Sequence, residues 1–87
     1  MDFTKSIIAN TEKLVGRLKK EEELKEVLKK KFTKKEFKVF VALESGVSKE
    51  DVAKEIVGDT VRVDELYKTA CKKLNQEKIK KELISIV

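Results

Sequence analysis

The sequence predicts an all-α protein: a compact multi-helix domain with a tri- or tetrahelical helix-turn-helix unit at its centre and an N-terminal helical extension. Three observations predict it. The 87 residues include no proline and three glycines, so the chain offers few of the turns that a sheet needs. Charged residues make up 43% of the chain and hydrophobic residues 40%, a balance that suits amphipathic helices. Two helix-capping patterns follow each other near the middle of the chain.

The first capping pattern marks the start of the central helices. Thr33 and Glu36 have the spacing of a capping box, in which each side chain accepts a hydrogen bond from the backbone of the other. Phe32 and Phe37 flank the box at the spacing of a hydrophobic staple. Gly46 then predicts the end of this helix, because glycine readily adopts the left-handed conformation that closes a helix.

A second capping pattern begins at Ser48, with Val47 and Val52 as its staple, and Gly58 predicts where that helix stops. The third helix begins at Asp59 or Thr60, since either side chain can cap it. Its inner face is one apolar stripe, formed by Val63, Leu66, Tyr67, Ala70 and Leu74. Asn75 ends or bends it, and a fourth helical segment is indicated by Ile79, Leu83, Ile84 and Val87.

The first third of the chain carries another apolar stripe at helical spacing, formed by Ile7, Ile8, Leu14, Val15 and Leu18. Three glutamates at 21–23 interrupt it, so either two helices meet near residues 19–23 or one long helix presents different faces. We divide the chain into an N-terminal helical extension, residues 1–31, and a helix-turn-helix domain with a C-terminal helix, residues 32–87.

The stripe of the extension is too apolar to leave in water on so small a chain. It either packs on the central helices or pairs with the same helix of a second molecule. The glutamates at 21–23 favour pairing with a second molecule. A break in the helix there lets the N-terminal extension point away from the helix-turn-helix domain. We therefore predict a homodimer through residues 3–18.

Residue usage excludes several kinds of catalytic site within one chain. Cys71 is the single cysteine and histidine is absent, which excludes an internal disulfide, a zinc site and a Cys-His or Ser-His pair. We interpret Cys71 as a small buried hydrophobe. The carboxylates lie beside lysines or at helix starts, where caps and solvated pairs explain them. We expect no enzyme activity, no cofactor and no metal ion.

The sequence also predicts a protein without a membrane partner. Its longest apolar run, residues 39–43, is far shorter than the roughly 20 residues that cross a bilayer. Charged residues flank the short apolar patch near the N-terminus, unlike a signal peptide. We expect a cytoplasmic protein.

Residues 32–74 resemble the DNA-binding module of the LuxR/GerE-type response regulators, a family related to the promoter-reading domain of sigma factors. The likeness covers about half of the chain, without a gap. It rests on Phe32, Thr33, Glu36, Val39, Phe40, Leu43, Gly46, Val47, Ser48, Val52, Ala53, Ile56, Val63 and Leu74. The resemblance implies that the helix starting near Thr60 enters the major groove. It also implies that the helix starting near Ser48 supports that helix.

The sequence departs from the family pattern in two places. The family usually has glycine directly after the position of Ile56, followed by an apolar residue, whereas here Val57 comes first and Gly58 second. The positions that the family turns toward base edges correspond to Asp64, Glu65 and Lys68. A carboxylate can accept from the cytosine amino group, but the phosphates also repel it.

The resemblance implies a small DNA-binding protein that regulates transcription, with double-stranded DNA as its partner. The residues that would contact DNA are Lys34, Lys35, Lys49, Arg62, Asp64, Glu65, Lys68, Thr69 and Lys72. The charge distribution leaves an alternative open. Residues 32–75 hold nine basic and eight acidic side chains, so this segment carries a net charge of only +1 out of +5 for the whole chain. The alternative is a helical protein–protein interaction module that keeps the fold without binding DNA.

Overall fold

The computed structural model describes residues 2–12 and 16–84, most of which lie in α-helices. In chain order the helices are α1 (Phe3–Asn10), α2 (Glu21–Lys31), α3 (Lys34–Glu44), α4 (Lys49–Glu55), α5 (Thr60–Leu74) and α6 (Glu77–Leu83). In these two ranges the one β-type pairing is an isolated bridge between Leu18 and Ile84. The predicted all-α class is confirmed.

The central helices begin where the sequence predicts. The Thr33 hydroxyl accepts from the Glu36 amide at 3.2 Å, and the Glu36 carboxylate accepts from the Thr33 amide at 2.8 Å. Ser48 and Asp59 cap α4 and α5 by accepting from the backbone amide three residues on, at 3.3 Å and 2.9 Å. The capping box is confirmed, and of the two candidate caps for α5 the structure uses Asp59.

Helix α3 ends in a Schellman motif built on glycine. The Val47 amide donates to the Ala42 carbonyl at 3.0 Å, and the Gly46 amide donates to the Leu43 carbonyl at 3.1 Å. Gly46 is left-handed, with φ 90°. The predicted end of α3 is therefore confirmed. Gly46 adopts the left-handed conformation there because glycine has no Cβ to oppose it.

Helix α4 ends in the same motif, one residue earlier than predicted. The Gly58 amide donates to the Ala53 carbonyl at 2.9 Å, and the Val57 amide donates to the Lys54 carbonyl at 3.3 Å. The left-handed residue is Val57, with φ 54°. The prediction that Gly58 supplies the left-handed stop is wrong, because Gly58 lies one position beyond it.

The aromatic residues around the capping box find partners outside the predicted staple. Phe32 meets Phe40 edge-on with ring centroids 5.6 Å apart, and Phe37 stacks on Phe3 at 6.3 Å. In the second predicted staple, Val47 is 37% exposed and remains outside the core. The entry into α3 is thus held by rings from α1 and from α3 itself.

The N-terminal stripe is not one helical face. Helix α1 ends at Asn10, and residues 11–12 and 16–20 are not helical. Ile7 is fully buried whereas Ile8 is 57% exposed, and Leu18 packs on the core from the non-helical segment. The two remaining members, Leu14 and Val15, lie outside the described residues. The prediction of a continuous stripe is wrong, because the helix stops before it is complete.

The glutamates that open α2 fasten α1 to it. The Glu21 carboxylate accepts from the Phe3 amide at 3.0 Å, from the Thr4 amide at 2.6 Å and from the Thr4 hydroxyl at 2.7 Å. These hydrogen bonds, those from Thr4 foremost, lower the pKa of Glu21 to about 2. The expectation that a break here lets the N-terminal extension point away from the helix-turn-helix domain is therefore wrong, since Glu21 caps the first turn of α1.

Two apolar clusters form the core. The larger draws on both sides of the predicted boundary at 31/32, with buried residues Phe3, Ile7, Leu24, Leu28, Phe32, Phe40, Ala70, Leu74, Ile79 and Leu83. The smaller lies among α3, α4 and α5 and contains Val39, Val52, Ala53, Ile56, Val63 and Leu66. The inner stripe of α5 is confirmed, and Tyr67 packs against both clusters. Of the predicted fourth segment, Ile79 and Leu83 are buried in α6, Ile84 follows it, and Val87 lies outside the described residues.

No helix in the described ranges has the length and apolar character needed to cross a membrane.

Candidate nucleic-acid interface

Helix α5 carries most of the predicted DNA-contacting residues on its outward face. Its inward face packs on α3 and α4, where Val63 is fully buried and Leu66 nearly so. On the opposite side the exposed residues are Val61, Arg62, Glu65, Lys68, Thr69 and Lys72, with Asp64 partly buried beside them. The predicted contact residues of α5 therefore share a surface that the rest of the chain leaves accessible.

The two acidic residues of this face are held by cations of the same set. Lys49 Nζ lies 2.7 Å from Asp64 Oδ1 and joins the first residue of α4 to α5. Arg62 Nη1 lies 3.4 Å from Glu65 Oε2, within the first turns of α5. All four side chains are about half exposed. The predicted phosphate contacts Lys49 and Arg62 are thus already paired with carboxylates.

Lys68 and Lys72 form a basic row one helical turn apart. Both border an open groove of about 490 Å³, whose other lining residues are Glu12, Tyr67, Cys71 and Asn75. Thr69 lies beside them, and its hydroxyl donates to the Glu65 carbonyl at 2.9 Å inside the helix. The C-terminal half of the α5 face is therefore more basic than its N-terminal half.

Lys34 and Lys35 occupy a different place from the row on α5. They lie in the first turn of α3 and border a groove of about 430 Å³ together with Lys38, Glu55, Ile56 and Val57. The two grooves have no lining residue in common. The structure thus separates eight of the nine predicted contacts into two basic groups and two ion pairs, and the ninth, Thr69, is uncharged.

A polar network that sequence reasoning missed lies between α1, α3 and α5. The Tyr67 hydroxyl donates to the Glu44 carboxylate at 3.2 Å, and the Asn10 amide also donates to that carboxylate. The Cys71 thiol donates to Asn10 Oδ1 at 3.7 Å. No local sequence pattern predicts these contacts, because the partners lie far apart in the chain.

Burial raises the pKa of Tyr67, and the nearby Cys71 and Glu44 add to the effect. Burial also raises the pKa of the Cys71 thiol, although its hydrogen bond with Tyr67 acts in the opposite direction. Both groups therefore stay protonated at neutral pH, and a thiol without thiolate character is a poor nucleophile. Cys71 is a free cysteine that is partly buried instead of fully buried.

Asn75 completes the attachment of the N-terminal segment to the end of α5. Its amide nitrogen donates to the Asn10 carbonyl at 2.9 Å, and its amide oxygen accepts from the Glu12 backbone at 2.8 Å. Asn75 is also the C-cap of α5, as the sequence allows. Among the residues that the structure describes, no three His, Cys, Asp or Glu side chains are grouped closely enough to hold a metal ion.

Comparison with protein-family models, with curated proteins and with solved structures finds no match for this chain.

Proposed function

We propose that this protein binds double-stranded DNA through the outward face of α5, in the manner of a small helix-turn-helix transcription regulator. The observation that carries the proposal is the packing of α5 on α3 and α4 with Lys68 and Lys72 exposed on its far side. A helix supported in this way and basic on its free face suits the major groove.

Phosphate contacts supply most of the affinity in this proposal. Asp64 and Glu65 are neutralised by Lys49 and Arg62, so neither acid presents an unpaired charge to the DNA. Lysine contacts to phosphate carry no sequence information. We therefore expect modest affinity, weak sequence preference and strong dependence on salt.

The test measures fluorescence anisotropy of a labelled mixed-sequence duplex of about 20 base pairs at about 50 and 200 mM salt. If about four phosphates are neutralised, affinity falls on the order of 100-fold between the two conditions. Lys68→Ala and Lys72→Ala should each weaken binding and reduce the slope of log affinity against log salt by about 0.9. Lys25→Ala, on the exposed surface of α2, is the matched control and should change neither.

Asp64→Asn tests the role given to the acidic positions. Removing this carboxylate releases Lys49 from its ion pair, so DNA binding should strengthen. A folded protein that shows no binding at low salt would refute the proposal.

A second candidate is the helical interaction module. It is favoured because Asp64 and Glu65 form ion pairs with Lys49 and Arg62, two of the proposed phosphate contacts. Its predicted partner is a second copy through residues 3–18, where the Ile8 side chain is 57% exposed. Light scattering should then give twice the chain mass of 10.0 kDa, and Ile8→Glu should restore the monomer. A monomeric intact chain contradicts the homodimer, whatever the outcome with DNA.

A further inference from the structure

The groove between the start of α3 and the end of α4 combines basic side chains with an exposed aliphatic one. Lys34, Lys35 and Lys38 border it from α3, and Ile56 and Val57 line it from the end of α4. Its volume is about 430 Å³. The surface is separate from the outward face of α5.

The charge of this groove is strongly positive. Glu55 is the one acidic residue among its lining residues. Within the described part of the chain, the cations that form ion pairs are Lys31, Lys49, Arg62 and Lys73. The ammonium groups of the three groove lysines are therefore available to carboxylates from outside the chain.

Val57 gives the groove an exposed aliphatic side chain on a strained backbone. Its φ is 54° and its side chain is 92% exposed. A β-branched residue at positive φ is a conformational outlier, and no packing inside the described structure compensates for it. Strain retained at a surface residue points to a role outside the fold.

We propose that this groove docks a protein segment in which acidic side chains flank an aliphatic one. The aliphatic side chain meets Ile56 and Val57, and the carboxylates pair with Lys34, Lys35 and Lys38. The exposed aliphatic side chain of Val57 favours a protein segment over a nucleic-acid backbone, because phosphates need cations alone. Charge complementarity then sets the orientation of the bound segment.

The experiment uses the full chain and two labelled peptides of about ten residues, composed of aspartate and glutamate with either two leucines or two serines at the centre. The leucine peptide should bind about tenfold more tightly than the serine peptide, since burial of its side chains adds to the charge pairing. Lys38→Glu should weaken binding of the leucine peptide about tenfold. Lys25→Glu is the charge-matched control on α2 and should have little effect.

Val57→Thr tests the apolar contact without altering backbone strain, because threonine has the same branched shape. It should weaken the leucine peptide about fivefold and leave binding of the serine peptide unchanged. Thermal melting by circular dichroism, recorded for every variant, separates loss of docking from loss of fold.

Three outcomes would overturn the proposal. One is equal affinity for the two peptides, and another is full binding to Val57→Thr. The third is displacement of the peptide by duplex DNA with Lys38→Glu weakening both ligands, which would assign the groove to nucleic acid. Lys38 separates these cases because it lies outside the residues proposed to contact DNA.

Discussion

Val57, at the end of α4, has the left-handed backbone conformation that Gly46 has at the end of α3. Both Val57 and Gly46 occupy the left-handed position of a Schellman motif, and both have positive φ. An L-residue in this conformation is about 1–2 kcal/mol less stable than in a right-handed one, whereas glycine adopts either readily. The two helix ends therefore provide an internal comparison of valine with glycine.

We expect Val57→Gly to raise the free energy of unfolding by about 1 kcal/mol, because relief of the left-handed strain outweighs the freedom that glycine adds to the unfolded chain. Urea denaturation followed by circular dichroism measures this change. If Val57 docks a partner, the same substitution strengthens the fold while weakening peptide binding.

Gly46→Val is the reciprocal control. A Cβ built on Gly46 meets no atom within 4 Å, so the substitution introduces backbone strain without a steric clash. It should lower stability by about 1–2 kcal/mol. Destabilisation by Val57→Gly would contradict the assignment of strain to Val57.

Helices α3 and α5 are joined by an ion pair that is largely shielded from water. Lys73 Nζ lies 2.6 Å from Glu36 Oε1, and the Glu36 side chain is 5% exposed. Burial raises the pKa of Glu36, but hydrogen bonds from Lys73 and from the Thr33 amide outweigh it, so the net shift is downward. The carboxylate therefore stabilises the fold in its ionised form.

We expect Glu36→Gln to lower the free energy of unfolding by about 1–2 kcal/mol at neutral pH. Glutamine keeps the capping hydrogen bond to Thr33, so the loss reports the charge. Because the folded pKa is lowered, the stabilisation is complete above the ordinary pKa of glutamate and is lost as pH falls through the folded value. The difference between the two proteins should accordingly shrink in acid.

Denaturation curves between about pH 3 and pH 7 measure this dependence. Glu26→Gln, on the exposed surface of α2, is the matched control and should leave stability nearly unchanged. A difference between wild type and Glu36→Gln that does not vary with pH would rule out the ionic contribution.

At the scale of the molecule, one core cluster ties the predicted N-terminal extension to the helix-turn-helix unit. Ile7 is fully buried in it, together with residues of α2, α5 and α6, whereas the adjacent Ile8 is 57% exposed. The difference shows that one side of α1 packs on the other helices while the adjacent side faces solvent. Shared burial of this kind couples the unfolding of both parts.

We expect Ile7→Ala to lower the free energy of unfolding of the whole chain by about 2–5 kcal/mol. Ile8→Ala is the matched control, with a change within about 0.5 kcal/mol. The measurement follows urea unfolding by Tyr67 fluorescence and by circular dichroism. Separate transitions, with Ile7→Ala affecting the first alone, would mean that residues 1–31 unfold as an independent unit.

The starts of α3, α4 and α5 and the end of α3 follow from the sequence because they depend on neighbours a few residues away. The Thr33–Glu36 box, the Ser48 cap and the Gly46 stop each join groups within one or two turns. The stop at Val57 was misplaced by one residue because glycine is the usual left-handed residue, and here valine takes its place. The composition of the α5 face was likewise readable, because helical periodicity alone assigns its residues to one side.

Only the tertiary structure decided how the N-terminal third is attached and which charges meet. Glu21 reaches Phe3 across 18 positions, and Asn75 reaches Glu12 across 63. The pairing of Lys49 with Asp64 and the grouping of three lysines around Val57 also depend on how helices cross. Side-chain spacing along one helix carries no information about these contacts, since they form only when the buried faces of separate helices pack and bring distant polar groups together.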